Sequence, residues 1–218
     1  MSEDPVSHPA GEHPAYQAAE PGDAELVERA QRGDSSAFEA LVRLHQQAVF
    51  AVALRMLGDH DEAKDVSQDV FVRAYEGIRA FKGEAKLSTW LVAITINLCR
   101  NRRRWWARRR RIIVASLDEP RERLQFGGRE LSEGSVGEGI ADPSPSPATA
   151  AAQHEQQRFV ISALQELDEA HRSVIILRDL QGYAYEEIAD MLHCRVGTVK
   201  SRLSRARLHL RSLLDGKL

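Results

Sequence analysis

Between residues 38 and 56 the apolar positions Phe38, Leu41, Val42, His45, Ala48, Val49, Val52, Ala53 and Met56 recur at three- and four-residue steps. That spacing predicts an amphipathic helix that packs one face against neighbours. Ser36 and Glu39 sit where a capping box would open it. A shorter helix is expected over 23–31, with Leu26, Val27 and Ala30 on one side and Gly33 as its stop. Gly58 breaks the chain, and Asp59 with Glu62 caps a third helix over about 61–79. Val66, Val70, Ala74 and Ile78 give its inner face. After Phe81 a polar loop, 82–86, leads to Ser88 or Thr89, either of which opens a helix burying Trp90, Leu91, Ile94 and Leu98.

The pattern lapses over 115–152, where acidic residues, glycine and alternating Ser-Pro exclude a packed core and read as a flexible linker. Residues 1–22, acidic and proline-rich, read as a disordered tail. Periodicity resumes with Phe159, Val160, Ala163, Leu164 and Leu167, then an acidic LDEAHR turn, then Val174, Ile175, Ile176, Leu177 and Leu180, closed by Gly182. Tyr185, Ile188, Ala189 and Leu192 make one face of a short helix. A turn over 193–195 separates it from a longer helix carrying Val199, Leu203, Ala206, Leu210 and Leu213 inward. No strand pattern competes, so the chain is read as all-α: two small helical domains, 23–114 and 153–218, joined by the linker.

Charge changes the picture by its distribution rather than its sum. The 218 residues carry 30 Lys and Arg against 32 Asp and Glu, a formal net charge of −2, so no global field favours a polyanion. Arginine is instead concentrated over 100–111, with Trp105 and Trp106 set into the block, and again over 195–211. Guanidinium forks fit phosphate oxygens in pairs, and the tryptophan faces offer stacking platforms for bases. The alternative for this block is a solvated helix end with both tryptophans in the core. On the last helix Lys200, Arg202, Arg205, Arg207 and Arg211 face outward, while Gly197, Thr198 and Ser201 keep its first turn slim. A short helix, tight turn and long basic helix read as helix-turn-helix, the second helix entering the major groove.

Other chemistry is thin. Asp61, Asp65 and Asp69, with Gln68, form an acidic row on the third helix. One helix face closes an octahedral metal site poorly, so a docking face for a basic partner fits better. His45 reads as a core or boundary histidine. Cys99 and Cys194 have no metal-ligand spacing and read as small buried side chains. No signal peptide or membrane span is expected, since Arg55 interrupts the longest apolar run. These features point to a cytoplasmic protein without direct membrane insertion.

Two blocks resemble a bacterial sigma factor of the extracytoplasmic-function (ECF) type. DVSQDVFVRAY (65–75) is similar to the family's DxxQExFxRA signature, and FKGEAKLSTWL (81–91) with the AITIN run ending at Asn97 to its FRGEsxFxTWL and IAxN segments. In the second half, LRDLQGYAYEEIADMLHCRVGTVKSRLSRAR (177–207) resembles the promoter-reading end. The resemblance implies a sigma2-like bundle and a sigma4-like helix-turn-helix, no enzymatic activity and no cofactor or small-molecule substrate. Its implied partners are core RNA polymerase, through the beta-prime clamp helices and beta flap, promoter DNA, and a cognate anti-sigma factor. Asp61, Asp65, Gln68 and Asp69 would then face the polymerase. Phe81, Lys82, Lys86 and Asn97 would handle the opened −10 element, and Arg100, Arg102, Arg103 and Arg104 the flanking phosphates. Arg195, Val196, Thr198, Lys200, Ser201, Arg202 and Arg205 would read the −35 element.

The chain departs from the family pattern at Asp69, where Glu is commoner, at Lys86-Leu87 in place of Ser-Phe, and in its tryptophan pair and long acidic linker. A stand-alone helix-turn-helix regulator would leave the acidic row and the Phe81 loop without roles. A metal-dependent nuclease using the aspartates lacks a general base and a phosphate-binding loop.

Overall fold

The computed structural model describes residues 21–115 and 147–215, so the expectations for the tail before 21 and for 116–146 fall outside the described residues. Every element among the described residues is helical. The first group comprises α1 (Pro21–Gln31), α2 (Ser35–Leu57), α3 (His60–Gly77), a 3-10 turn (Ile78–Ala80) and α4 (Leu87–Ala115). The second comprises α5 (Pro147–Gln165), α6 (Glu169–Ile175), a π turn (Ile176–Leu180), α7 (Tyr185–Met191) and α8 (Val196–Asp215). Helix α5 thus begins before the expected boundary at 153, because Pro147 suits the first turn of a helix.

Within the first group α2 packs against α1, α3 and α4. The expected inner face of α3 is buried throughout, from Val66 through Val70 and Ala74 to Ile78. Two expectations need correction. Asp34, not Ser36, caps α2: its carboxylate accepts from the backbone N–H groups of Ser36 and Ala37 and from the Arg29 guanidinium. Glu39 reaches Arg43 one turn on instead of closing a box. On α4 the buried positions are Leu87, Thr89, Leu91, Val92, Thr95, Ile96 and Cys99, while Trp90, Ile94 and Leu98 are partly covered. The face is displaced because α4 is flanked on one side by α2 and α3 and on another by Gln181 and Tyr183 of the second group.

The second group does not stand apart. Its core, Leu164, Leu167, Val174–Leu177, Ile188, Val199, Leu203 and Ala206, is continuous with that of the first. The junction is organised by Arg172, which is completely buried. Its Nε donates to Leu164 O at 2.7 Å, Nη2 to the carbonyls of Gln165 at 2.8 Å and Leu167 at 2.7 Å, and Nη1 to Gln165 Oε1 at 2.7 Å and Met56 O at 2.6 Å. These backbone acceptors lie at the ends of α2 and α5, where carbonyls lack intrahelical partners. A single guanidinium fork therefore joins two helix C-termini. Gln165 continues the join by donating to Arg55 O at 3.0 Å. Gly58 is required beside it: its φ is +76°, and a Cβ there would come within 2.6 Å of the Gln165 side chain.

Candidate polymerase and nucleic-acid interfaces

Three surfaces carry the candidate residues. On α3, Asp61, Asp65, Gln68 and Asp69 are all exposed, with Val72 (58% exposed) a turn further along. Asp59 caps the helix through the Glu62 N–H at 2.9 Å. No cluster of three or more metal-binding side chains occurs among the described residues. The Glu62 carboxylate turns to Arg102 at 2.9 Å, and Asp65 lies 3.5 Å from the same guanidinium. The acidic row is thus partly neutralised at its middle aspartate, Asp65, and exposed at both ends.

The second surface begins where α3 stops. Gln31 of α1 donates to Ile78 O at 3.0 Å and Phe81 O at 2.7 Å, fixing the path into the loop. The Phe81 ring lies 5.0 Å from Trp90, and Trp90 in turn rests against Gly77, where a Cβ would come within 3.2 Å of it. Beyond this anchored start Lys82, Gly83, Glu84 and Ala85 are exposed and Lys86 is half-buried. Asn97 is half-buried one face round on α4.

The four arginines assigned to phosphates are not equivalent. Arg104 is exposed. Arg102 is held by α3. Arg100 meets Glu169 of the second group at 2.9 Å, the two side chains being 25% and 24% exposed. Arg103 donates to Met56 O at 3.3 Å and to Gln165 Oε1 at 3.0 Å, and burial pulls its guanidinium below its ordinary pKa. Spacing gave no sign of these interdomain partners, since they lie about sixty residues away in sequence. Trp105 and Trp106 stand 43% and 44% exposed, edge to face with centroids 4.8 Å apart, and Arg109 covers Trp105 at 5.2 Å. They are therefore not the core residues of the alternative reading.

The third surface is the helix-turn-helix. Ala189 is buried at the crossing of α7 and α8, and Cys194 N–H donates to its carbonyl at 2.9 Å. His193 makes the turn with φ +50°. Thr198 N–H donates to Arg195 O at 2.8 Å and Ser201 Oγ to Thr198 O at 3.0 Å, so the first turn of α8 is internally satisfied. Arg195, Lys200, Ser201 and Arg205 are exposed, and Val196, Thr198 and Arg202 half-buried. Lys200 reaches over the Tyr185 ring at 5.4 Å, while Arg207 is tied to Asp179 at 3.0 Å.

Residues 41–111 match the family model for Sigma-70 region 2, and residues 160–210 that for Sigma-70, region 4. The RNA polymerase sigma-H factor of Pseudomonas aeruginosa is 37% identical over 185 residues, which cover 85% of this chain and 90% of that protein. The ECF RNA polymerase sigma-E factor of Haemophilus influenzae is 35% identical, with 85% of this chain and 91% of that protein covered. The chain belongs to the ECF sigma factors. Among solved structures, the sigma factor RpoE of Bartonella quintana, crystallised with the anti-sigma factor NepR, superposes with a TM-score of 0.55 at 29% identity over 82% of this chain and 96% of that one. This ECF sigma factor is a non-enzymatic subunit that binds core RNA polymerase and directs promoter-specific initiation. No helix among the described residues is long and apolar enough to cross a membrane.

Proposed function

We propose that this sigma factor divides its work between residues 23–114, which dock on core polymerase and handle the −10 element, and residues 153–218, which read the −35 element, across the linker 115–152. The exposed face of Asp61, Asp65, Gln68 and Asp69 is the observation that carries the docking assignment. Carboxylates around an exposed Val72 have the composition of an interface with a basic helical partner: an apolar centre and a charged rim. The loop 82–86, anchored by Phe81 on Trp90, meets the opened strand together with Asn97. A sequence reader of single strands needs a rigid floor under an exposed loop. Arg100, Arg102, Arg103 and Arg104 hold the adjoining phosphates. On α8, Arg195, Lys200, Ser201, Arg202 and Arg205 face bases and backbone in the major groove, with Val196 and Thr198 giving close approach.

The protein acts in the cytoplasm, and an anti-sigma factor regulates it, the similar Bartonella RpoE having been crystallised with one. The test is transcription in vitro with core RNA polymerase on fragments that include the gene's own upstream region. A discrete new start site is expected. The Asp65→Lys, Asp69→Lys double variant should stay folded, lose co-purification with core enzyme and give no transcript. Undiminished co-purification would overturn the docking assignment, and equal affinity for promoter duplex with and without polymerase would favour a stand-alone regulator.

A further inference from the structure

We infer that Tyr185 is a positioning residue for −35 recognition: its ring confines the Lys200 ammonium, so that this lysine discriminates at one base pair of the element. This rests on the proposed assignment of Lys200 to the −35 element. The apolar pattern puts Tyr185 on the inner face of α7, yet the residue is only half-buried, and the Lys200 ammonium lies 5.4 Å from its ring centroid. The ring is a fixed support. Tyr185 is the first residue of α7, and the turn before it is tied down by Glu187, whose carboxylate accepts Ala184 N–H at 2.8 Å. Arg178 donates to Tyr183 O at 2.8 Å and lays its guanidinium 4.8 Å from the Tyr185 ring. The inner part of Tyr185 packs against the core.

Lysine needs such a support to read a base. Its ammonium is a compact charge on a long flexible stem, and unrestrained it reaches phosphates as readily as base edges. A helical side chain lies over the turn that precedes it. For Lys200 that turn contains Gly197, which has no side chain, and where even a Cβ would meet nothing within 4 Å. Tyr185 of the neighbouring helix supplies the restraint that the preceding turn lacks. The kind of restraint matters as well. Arg207, further along α8, is held by the Asp179 carboxylate at 3.0 Å, which neutralises it. Among the described residues Lys200 has no carboxylate partner. A ring face attracts the cation without cancelling its charge, and the N–H donors turned away from the ring stay free. Lys200 therefore enters the groove charged and confined. A confined ammonium suits the paired N7 and O6 acceptors of guanine.

The test uses holoenzyme reconstituted from the full chain and core RNA polymerase. The probe is the promoter from the gene's own upstream region with each −35 base pair replaced in turn, every variant duplex competing against the parent. Lys200→Ala should flatten the preference at one G·C pair. Tyr185→Leu should weaken the preference at that same pair about two- to fivefold, the range of an exposed cation–π contact, and leave the other positions as in wild type. Tyr185→Phe keeps the ring and should restore the wild-type profile. In the Lys200→Ala background Tyr185→Leu should have no further effect on that preference. An even loss at every position, or Tyr185→Phe matching Tyr185→Leu, would overturn the inference. Should the leucine variant fold poorly, the wild-type chain gives a second measurement by nuclear magnetic resonance. The ε-methylene protons of Lys200, lying near the ring, should resonate upfield of those of the exposed Lys64, and coincident signals would overturn the inference. If Lys200→Ala alters no preference, the assignment of Lys200 to the −35 element fails and the inference falls with it. A preference lost in Lys200→Ala but intact in Tyr185→Leu would overturn the inference alone.

Discussion

Arg172→Met tests the junction most directly, because methionine keeps most of the stem volume and deletes every donor. Arg172 is fully buried and donates to five acceptors. Two of them, Met56 O and Gln165 Oε1, retain Arg103 as a second donor. Leu164 O keeps a long backbone bond from Leu167 N–H at 3.2 Å. The Gln165 and Leu167 carbonyls lose the only donor described here for either. A buried acceptor left unmade costs about 1–3 kcal/mol. Release of the buried guanidinium from its desolvation penalty offsets part of this, so a net loss of about 3 kcal/mol is expected. Denaturant unfolding followed by circular dichroism measures it through the midpoint, with the slope checked for constancy. Arg172→Lys should recover less than half, because a point charge cannot span acceptors belonging to two helix ends. A loss below about 1 kcal/mol for the methionine variant would refute the view that this guanidinium holds the helix ends together.

Gly58→Ala places a Cβ at φ +76° and against Gln165, so it should cost about 1–2 kcal/mol; in a double-mutant cycle with Gln165→Ala the two losses should be less than additive, because the clash disappears with the side chain. The Asp34 carboxyl is held well below its ordinary 3.8, chiefly by the Ser36 hydroxyl and then by Arg29. A depressed carboxyl stabilises fully above its unfolded value and progressively less below it, so the stability gap between wild type and Asp34→Asn should be flat at neutral pH and close as pH falls below about 4. Burial pushes the Cys99 thiol up to about 12, whereas Cys194 is only half-buried. Thiol titration of the folded protein should therefore label Cys194 alone, with Cys99 reacting only on denaturation.

The individual helices were legible because their signals are local. Val66, Val70, Ala74 and Ile78 repeat at the helical period, and each is buried. The outward acidic row on α3 follows from the same arithmetic, being what the buried face leaves over. Cap assignment was less secure, because Asp34, Ser35 and Ser36 are all good caps, and Arg29 decided among them by pairing with Asp34 across the Gly33 turn. Closure between the domains was illegible for a different reason. The sequence offers Arg172 only as the end of an acidic LDEAHR turn, whereas it lies in α6 and is buried partly against Met56, more than a hundred residues earlier. Four of its five acceptors are backbone carbonyl oxygens, which every residue carries, so no side-chain pattern in the sequence could mark them. Arg100 and Arg103 show the consequence for function. A run of arginines announces affinity for oxygen anions and acceptors, but not which of several such partners it meets. In this fold the partners that Arg100 and Arg103 meet are Glu169 and Gln165 of the protein itself.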